Sequence, residues 1–176
     1  MVGMKRRRLA TLLGHDISLL AYHLPLDDHP TLGNNARLGE LLGLQDHRPL
    51  QSGGEGVGNI AELPAALPVS ELLASLRRIT GREPLHIAAD VAGVRHIAWC
   101  TGAAQGYIEA AVAAGADVFI TGEVSEQTVH IAREEGIHFI AAGHHATERY
   151  GVQAVAEKVA QEFSLQHRFI DIDNPV

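Results

Sequence analysis

The chain has 176 residues, 46% of them hydrophobic, which is enough to build a core in one domain or two small ones. Its formal net charge of -7 argues against nucleic acid or an anionic membrane as a partner, because both are bound through clustered Lys and Arg. With a single cysteine it cannot form an internal disulfide, and no apolar run approaches the roughly 18 residues of a membrane span, so the cytoplasm is the expected location.

The hydrophobic pattern of the first sixty residues predicts a helix, a strand and a second helix. In chain order these are a helix over residues 4–13 ended by Gly14, a short buried strand over 17–23, a loop over 24–35, and a helix over 36–44 capped by Asn34 or Asn35. Residues 45–60 are polar and glycine-rich, which indicates a connection into a second unit.

The rest of the chain alternates between predicted strands and predicted helices. Strands are expected at 59–63, 85–89, 94–100, 117–122, 138–143 and 167–172, and helices at 69–81, 106–116, 125–136 and 145–163. This alternation predicts an α/β fold with a largely parallel sheet.

Three polar segments follow predicted strands. They are HLPLDDH at residues 23–29, TGE at 121–123 and GHHATE at 143–148. Ligands of open α/β sheets collect beyond the carboxyl ends of the strands, so these segments are expected to form one site if their strands are neighbours.

The segment GHHATERYGV allows two interpretations. His144 and Glu148 are four residues apart, and His145 and Glu148 three, so either imidazole can share a helix face with the carboxylate and hold a divalent cation. The partial positive charge of the helix N-terminus disfavours a cation, so a second carboxylate besides Glu148 is needed to offset it. Asp27 is the candidate. The alternative is an ordinary polar helix start in which the histidines are exposed.

Other motifs give weaker signals. Residues 54–61, GEGVGNIA, resemble a dinucleotide fingerprint, but the sequence NIAEL, which begins at Asn59, predicts a strand where the fingerprint needs a helix. The loop CTGAAQG at 100–106 is either an anion site or a packing loop. Cys100 has no base at a diagnostic spacing, and Ser125 does not lie in a nucleophile elbow.

Three longer stretches together resemble one known family. They are YHLPLDDHPTLGNNARLGELLGL, IAWCTGAAQGYIEAAVAAGADVFITGEVSEQTVHIAREEG and HFIAAGHHATERYGVQAV, and they closely resemble the GTP cyclohydrolase 1 type 2 family, also called the Nif three-like family. The resemblance implies a Nif three-like fold of two α/β domains, the second inserted in the first. Residues 1–48 with 122–176 would form the metal-binding domain, and residues 49–121 the inserted domain.

The resemblance also implies a site and an assembly. Asp27, His144 and Glu148 match family ligands of a site for two divalent metal ions per subunit, with Glu148 as the bridging and catalytic carboxylate. Zn, Fe, Mn and Ni are not distinguished. Family members form a homohexamer, and a metal-dependent hydrolase using a metal-bound water on a small nucleotide-like substrate is implied.

The chain departs from the family pattern at its start. Family members carry a ligand histidine pair in a segment before the basic helix, whereas this chain begins at that helix with MVGMKRRRLATLL and has no paired histidines before Asp27. We therefore expect a truncated member whose first domain lacks its N-terminal part. His23 and His29 are the alternative ligands beside Asp27. The absent pair favours a second reading, a non-catalytic oligomeric metal-binding or structural protein.

Overall fold

In the computed structural model, residues 1–44, 46–51 and 57–176 are described. The helices are α1 Gly3–Gly14, α2 Leu24–Asp27, α3 Asn34–Leu41, α4 Val69–Thr80, α5 Ile108–Ala113, α6 Glu126–Glu135, α7 His144–Glu148 and α8 Tyr150–Phe163. The strands are β1 His47–Pro49, β2 Asn59–Pro68, β3 Leu85–Ile87, β4 Gly93–Trp99, β5 Val118–Thr121 and β6 His138–Ala141. A single turn of 3-10 helix, Gln105–Tyr107, precedes α5.

The strands form one six-stranded sheet in the order β1-β2-β4-β5-β6-β3. The pairs β4·β5 and β5·β6 are parallel, each joined by a helix, and the other three pairs are antiparallel. Strands from both predicted domains share this sheet, and the division into two domains stays a prediction. The fold class is confirmed as α/β.

The expectation of a largely parallel sheet was wrong. Residues 88–92, which link β3 to β4, contain no helix. A parallel pair needs a crossover of about a dozen residues, so this link is too short to return the chain to the same end of the sheet. The strands β3 and β4 therefore run in opposite directions, and β3 joins the far edge antiparallel to β6.

The central strand β5 is buried on both faces, because the consecutive residues Val118, Phe119 and Ile120 are all apolar. In β5, Val118 and Ile120 face a core made with α3 and α4, whereas Phe119 faces a second core made with α5 and α6. Trp99, fully buried in the first core, donates its indole N–H to the Asn35 carbonyl over 2.9 Å and so ties β4 to α3.

Two predicted strands do not form. Residues 17–22 and 167–172 are irregular, and their apolar side chains, such as Leu20 and Ile172, are exposed. A strand needs a neighbour for its backbone N–H and C=O groups, and none lies beside either segment in the described part of the chain. The predicted loop at 24–35 was also partly wrong, because it contains α2.

The predicted helix ends are largely confirmed. Gly81 and Gly136 end α4 and α6 in left-handed conformation, and the Ser125 side chain accepts a hydrogen bond from the Thr128 N–H at the start of α6. The predicted helix 145–163 is two helices that meet at Arg149. Within the described ranges, no helix is long and apolar enough to cross a membrane.

Candidate metal centre

The neighbouring strands β5 and β6 bring two of the polar segments together. Gly122 follows β5 directly and lies against the backbone of His144, which begins α7 after β6. A Cβ on Gly122 would come within 2.6 Å of the His144 Cα. Only glycine permits this approach, and it places Glu123, which follows β5, beside His144, which begins α7. The predicted convergence of TGE and GHHATE is confirmed.

His144 lies between two carboxylates. Its Nδ1 is 2.6 Å from Glu123 Oε1, and its Nε2 is 3.0 Å from Glu148 Oε2. Burial alone would lower the pKa of His144, but the hydrogen bond to Glu123 and the charges of Glu148 and Glu123 raise it above its ordinary value. The i, i+4 spacing on α7 therefore does bring His144 and Glu148 into contact.

Asp27 reaches the same region from α2. Asp27 is only 7% exposed. The pKa of Glu148 is raised, first by the burial of Glu148 and second by the charge of Asp27, whereas the charges of His144 and His23 lower it. Asp27 and Glu148 are thus two carboxylates close enough to repel one another in a partly buried place.

Two asparagines at the start of α3 hold Asp27. Asn34 donates its side-chain N–H to Asp27 Oδ1 over 2.7 Å and accepts the Gly151 backbone N–H over 2.7 Å. Asn35 donates to the Asp27 carbonyl over 3.2 Å and accepts the Thr101 backbone N–H over 2.9 Å. The sequence suggested these amides as helix caps, but neither serves as one: they join α2 to α8 and to the end of β4.

The loop after β4 packs against Glu148. Gly102, with φ at +71°, leaves no room for a Cβ, which would lie 2.7 Å from the Glu148 Cδ, and its N–H donates to Thr147 Oγ1 over 3.1 Å. The N–H groups of Thr101 and Ala104 also donate to side chains, the latter to Thr121. These three N–H groups are not free for an anion, which favours the interpretation of CTGAAQG as a packing loop.

The remaining histidines of the polar segments have other contacts. His145 lies 2.8 Å from Asp171 Oδ1 in the C-terminal segment, so His144 and not His145 contacts Glu148. His29 accepts the N–H groups of Thr31 and Leu32 and stabilises a turn. His138, in β6, is buried and accepts the Ala89 N–H.

Two other candidates have no place in the site chemistry. Burial, with the charges of Asp27 and Glu148, raises the pKa of Cys100 to about 12, so its thiol stays protonated and is not a nucleophile. Of the dinucleotide-like motif, residues 54–56 lie outside the described residues, and Asn59 to Ala61 are in β2 rather than a helix. A Rossmann turn would need that helix.

The donor chemistry of these side chains fits a divalent cation. One imidazole and two carboxylates are ligands of Zn, Fe, Mn and Ni. The 3.0 Å between His144 Nε2 and Glu148 Oε2 is the spacing of two adjacent ligand atoms that each lie about 2.1 Å from one octahedral ion. However, no group of three or more His, Cys, Asp or Glu side chains already lies at metal-holding geometry anywhere in the described ranges.

Comparison with known proteins identifies the family. Residues 1–175 match the family described as Duf34/NIF3 (NGG1p interacting factor 3). A Pseudomonas aeruginosa protein named GTP cyclohydrolase 1 type 2 homolog is 55% identical over 99% of this chain and 69% of its own length, and a Yersinia pestis protein of the same name is 53% identical over 98% and 69%. The chain belongs to the Duf34/NIF3 family.

Solved structures agree with the fold. A protein titled ybgI, of unknown function, superimposes with a TM-score of 0.92 at 47% identity, covering 100% of this chain and 70% of that one. TTHA1606 from Thermus thermophilus superimposes with a TM-score of 0.89 at 33% identity, covering 99% and 69%. The predicted resemblance and fold are therefore confirmed. The ligand assignment stays a prediction.

Proposed function

We propose that this chain supplies Asp27, His144 and Glu148 as ligands of a divalent metal site, and that the site serves a hydrolytic reaction. The observation that carries the proposal is the 3.0 Å contact of His144 with Glu148, a carboxylate that also lies near enough to Asp27 to feel its charge. Burial and the Asp27 charge raise the pKa of Glu148, so the pair is costly without a compensating cation or proton. A divalent cation removes that cost.

Each side chain has a distinct part in the proposal. Asn34 bonds the carboxylate of Asp27, and Asn35 bonds its backbone carbonyl, so Asp27 is oriented by two hydrogen bonds. His144 presents Nε2 toward Glu148. Glu148, held against the Gly102 backbone, is the proposed bridging and catalytic carboxylate. When bound, the metal supplies Lewis acidity for hydrolysis.

The hydrolase part of the proposal is supported by the name of the relatives, GTP cyclohydrolase 1 type 2 homolog. A small nucleotide-like molecule is the substrate class that we propose. We also propose a homo-oligomer, a hexamer by analogy with the family, located in the cytoplasm. Two metal ions per subunit is the upper limit of the proposal, since this chain offers three ligand side chains.

Metal binding is tested by calorimetric titration of the metal-free protein with Zn²⁺ and, separately, Mn²⁺. We expect His144→Ala and Glu148→Ala each to weaken binding by at least about tenfold, because each removes a ligand. His130→Ala is the matched control, since His130 is exposed on α6. If the unmutated protein binds no more metal than the two ligand variants, the metal site is wrong.

A second candidate function is a non-catalytic oligomeric or structural role. It is favoured by the exposed apolar side chains of residues 17–22, among them Leu19, Leu20 and Tyr22, and by α1, which buries none of its residues. Exposed apolar patches mark contacts between proteins. Light scattering and a GTP hydrolysis assay on the same metal-loaded sample separate the two: an oligomer with Glu148-dependent hydrolysis supports the enzyme, and an oligomer without hydrolysis supports the structural role.

A further inference from the structure

We propose that Glu123 is a positioning residue that holds the His144 ring with Nε2 turned toward Glu148; this inference rests on the proposed metal site. Glu123 is not among the predicted ligands. The sequence marked it only as a polar residue after a strand, and its contact with His144 appears when β5 and β6 pair.

The contact is specific. Glu123 Oε1 lies 2.6 Å from His144 Nδ1, and in the part of the chain that the structure describes, this is the hydrogen bond that the Glu123 side chain makes. The close packing of Gly122 against the His144 backbone also keeps Glu123, the next residue, close to His144. The carboxylate therefore faces one ring nitrogen of His144 and leaves the other ring nitrogen to Glu148.

The hydrogen bond determines which nitrogen can bind a metal. An ionised carboxylate only accepts, and each ring nitrogen of His144 faces one: Nδ1 lies 2.6 Å from Glu123, and Nε2 lies 3.0 Å from Glu148. The shorter contact with Glu123 favours the hydrogen on Nδ1. In a neutral imidazole the lone pair then lies on Nε2, the atom that faces Glu148. Without Glu123 the ring is free to rotate and to carry its hydrogen on Nε2, where it would block coordination. Carboxylate partners of ligand histidines act in this way in other metal sites.

Fold stability does not explain the contact. The side chains of Glu123 and His144 are 32% and 37% exposed, and ion pairs at such exposure contribute little to folding. Glu123 also lies after the end of β5, and its backbone makes no sheet hydrogen bond with any strand in the described ranges. A substitution here should therefore change the imidazole and leave the fold intact.

The test compares Glu123→Ala, Glu123→Gln and the control Glu134→Gln, which alters an exposed glutamate on α6. In metal-free protein labelled with ¹⁵N-histidine, at about pH 9 where imidazole is neutral, long-range ¹H–¹⁵N spectra report the tautomer of His144. The ring is assigned by loss of its signals in His144→Ala. Zn²⁺ affinity is measured by calorimetry, and unfolding temperature by circular dichroism.

In the unmutated protein and in the control, we expect the His144 ring to carry its hydrogen on Nδ1. Glu123→Ala should lose this preference and bind Zn²⁺ ten- to hundredfold more weakly. Glu123→Gln should recover part of both, since its amide oxygen still accepts from Nδ1–H. Unfolding temperatures should match. An unchanged tautomer in Glu123→Ala, or unchanged affinity, overturns the inference while the metal site stands. If the unmutated protein binds no Zn²⁺, the proposed function is wrong, and the inference is then decided by the tautomer alone.

Discussion

At the scale of single residues, the candidate site depends on two backbone contacts that only glycine allows. Gly102 lies against the Glu148 carboxylate, and Gly122 lies against the start of α7. In each case the contacting atoms lie where a Cβ would be. Glu148 and His144 can therefore adopt their positions only because residues 102 and 122 have no side chain. Sequence alone cannot show this, because neither glycine is adjacent in the chain to the residue that it contacts.

Gly102→Ala tests this packing. The residue has φ at +71°, where an L side chain is strained by about 1–2 kcal/mol, and the added Cβ would also displace Glu148. We expect lower stability together with at least tenfold weaker Zn²⁺ binding. Gly115→Ala is the matched control, because φ is +78° there and nothing lies within 4 Å of the new Cβ.

The control should lose stability alone. Chemical denaturation and calorimetry on both variants separate the two effects. Equal Zn²⁺ affinities for Gly102→Ala and Gly115→Ala would show that the Gly102 contact does not position Glu148.

The ligand candidates could be identified from the sequence, whereas the residues that hold them in place could not. Asp27, His144 and Glu148 stand in recognisable segments after predicted strands or at helical spacing. Glu123, Asn34 and Asn35 act through contacts with residues distant in the chain, such as the bond from Asn34 to Gly151. Their signal was only a polar side chain at the end of an element, which has many local uses.

At the scale of elements, Asp117 joins β4 to β5. Its Oδ2 accepts the backbone N–H groups of Arg95 and His96 over 2.8 and 2.7 Å. Its own carbonyl accepts the His138 N–H over 3.0 Å, which connects β5 to β6 at the same end of the sheet. Burial alone would raise the pKa of Asp117, but the His96 and Arg95 N–H groups and the His96 side chain hold it below its ordinary value of 3.8.

Asp117→Asn should therefore change how stability depends on pH. A depressed pKa stabilises the fold at any pH above the unfolded value near 3.8, and this contribution is lost as pH falls through the lower folded pKa. We expect Asp117→Asn to lose on the order of 1 kcal/mol at pH 7, the difference between a charged and a neutral acceptor. The gap to the unmutated protein should close in acid.

Urea denaturation at a series of pH values between neutrality and about pH 3 measures this gap. Asp90→Asn, a change at an exposed aspartate, is the control. A gap that stays constant down to the acid limit, or that matches the control, would contradict the role of Asp117.

Helices were easier to predict than strands. Apolar residues at helical spacing and a terminal glycine predicted α4 and α6 correctly, because both signals are local. The segments at 17–22 and 167–172 have β-like composition yet no strand beside them in the described ranges, and no local pattern reports whether a partner exists. Strand direction depends likewise on the length and path of connections, which is why the antiparallel pairs were missed.

At the scale of the whole molecule, the C-terminal segment contacts α7 and Arg149 through side-chain ion pairs and one backbone hydrogen bond instead of a sheet ladder. Asp171 accepts from Arg149 Nη1 over 3.2 Å and lies 2.8 Å from His145 Nε2, and the Val176 carbonyl accepts the His145 N–H. The pKa of Asp171 is lowered, first by its hydrogen bond with His145. The two adjacent histidines of α7 thus have separate contacts: His144 with the site, and His145 with the end of the chain.

The family and the α/β class followed from the sequence, and the comparisons confirm both. The site was predicted as a ligand set, and the structure adds the physical arrangement: His144 and Glu148 in contact, Asp27 near enough to raise the pKa of Glu148, and Glu123 behind His144. What the sequence could not contain was the cross-strand geometry, since it arises from β5 and β6 lying side by side.

The most direct measurement is anomalous X-ray diffraction from crystals of the protein grown with Zn²⁺ or Mn²⁺. We expect an anomalous peak about 2.0–2.2 Å from His144 Nε2 and from a Glu148 carboxylate oxygen, with Asp27 also turned toward it. A peak elsewhere on the protein, with His144 and Glu148 still bonded to each other and no metal between them, would contradict the proposed metal site.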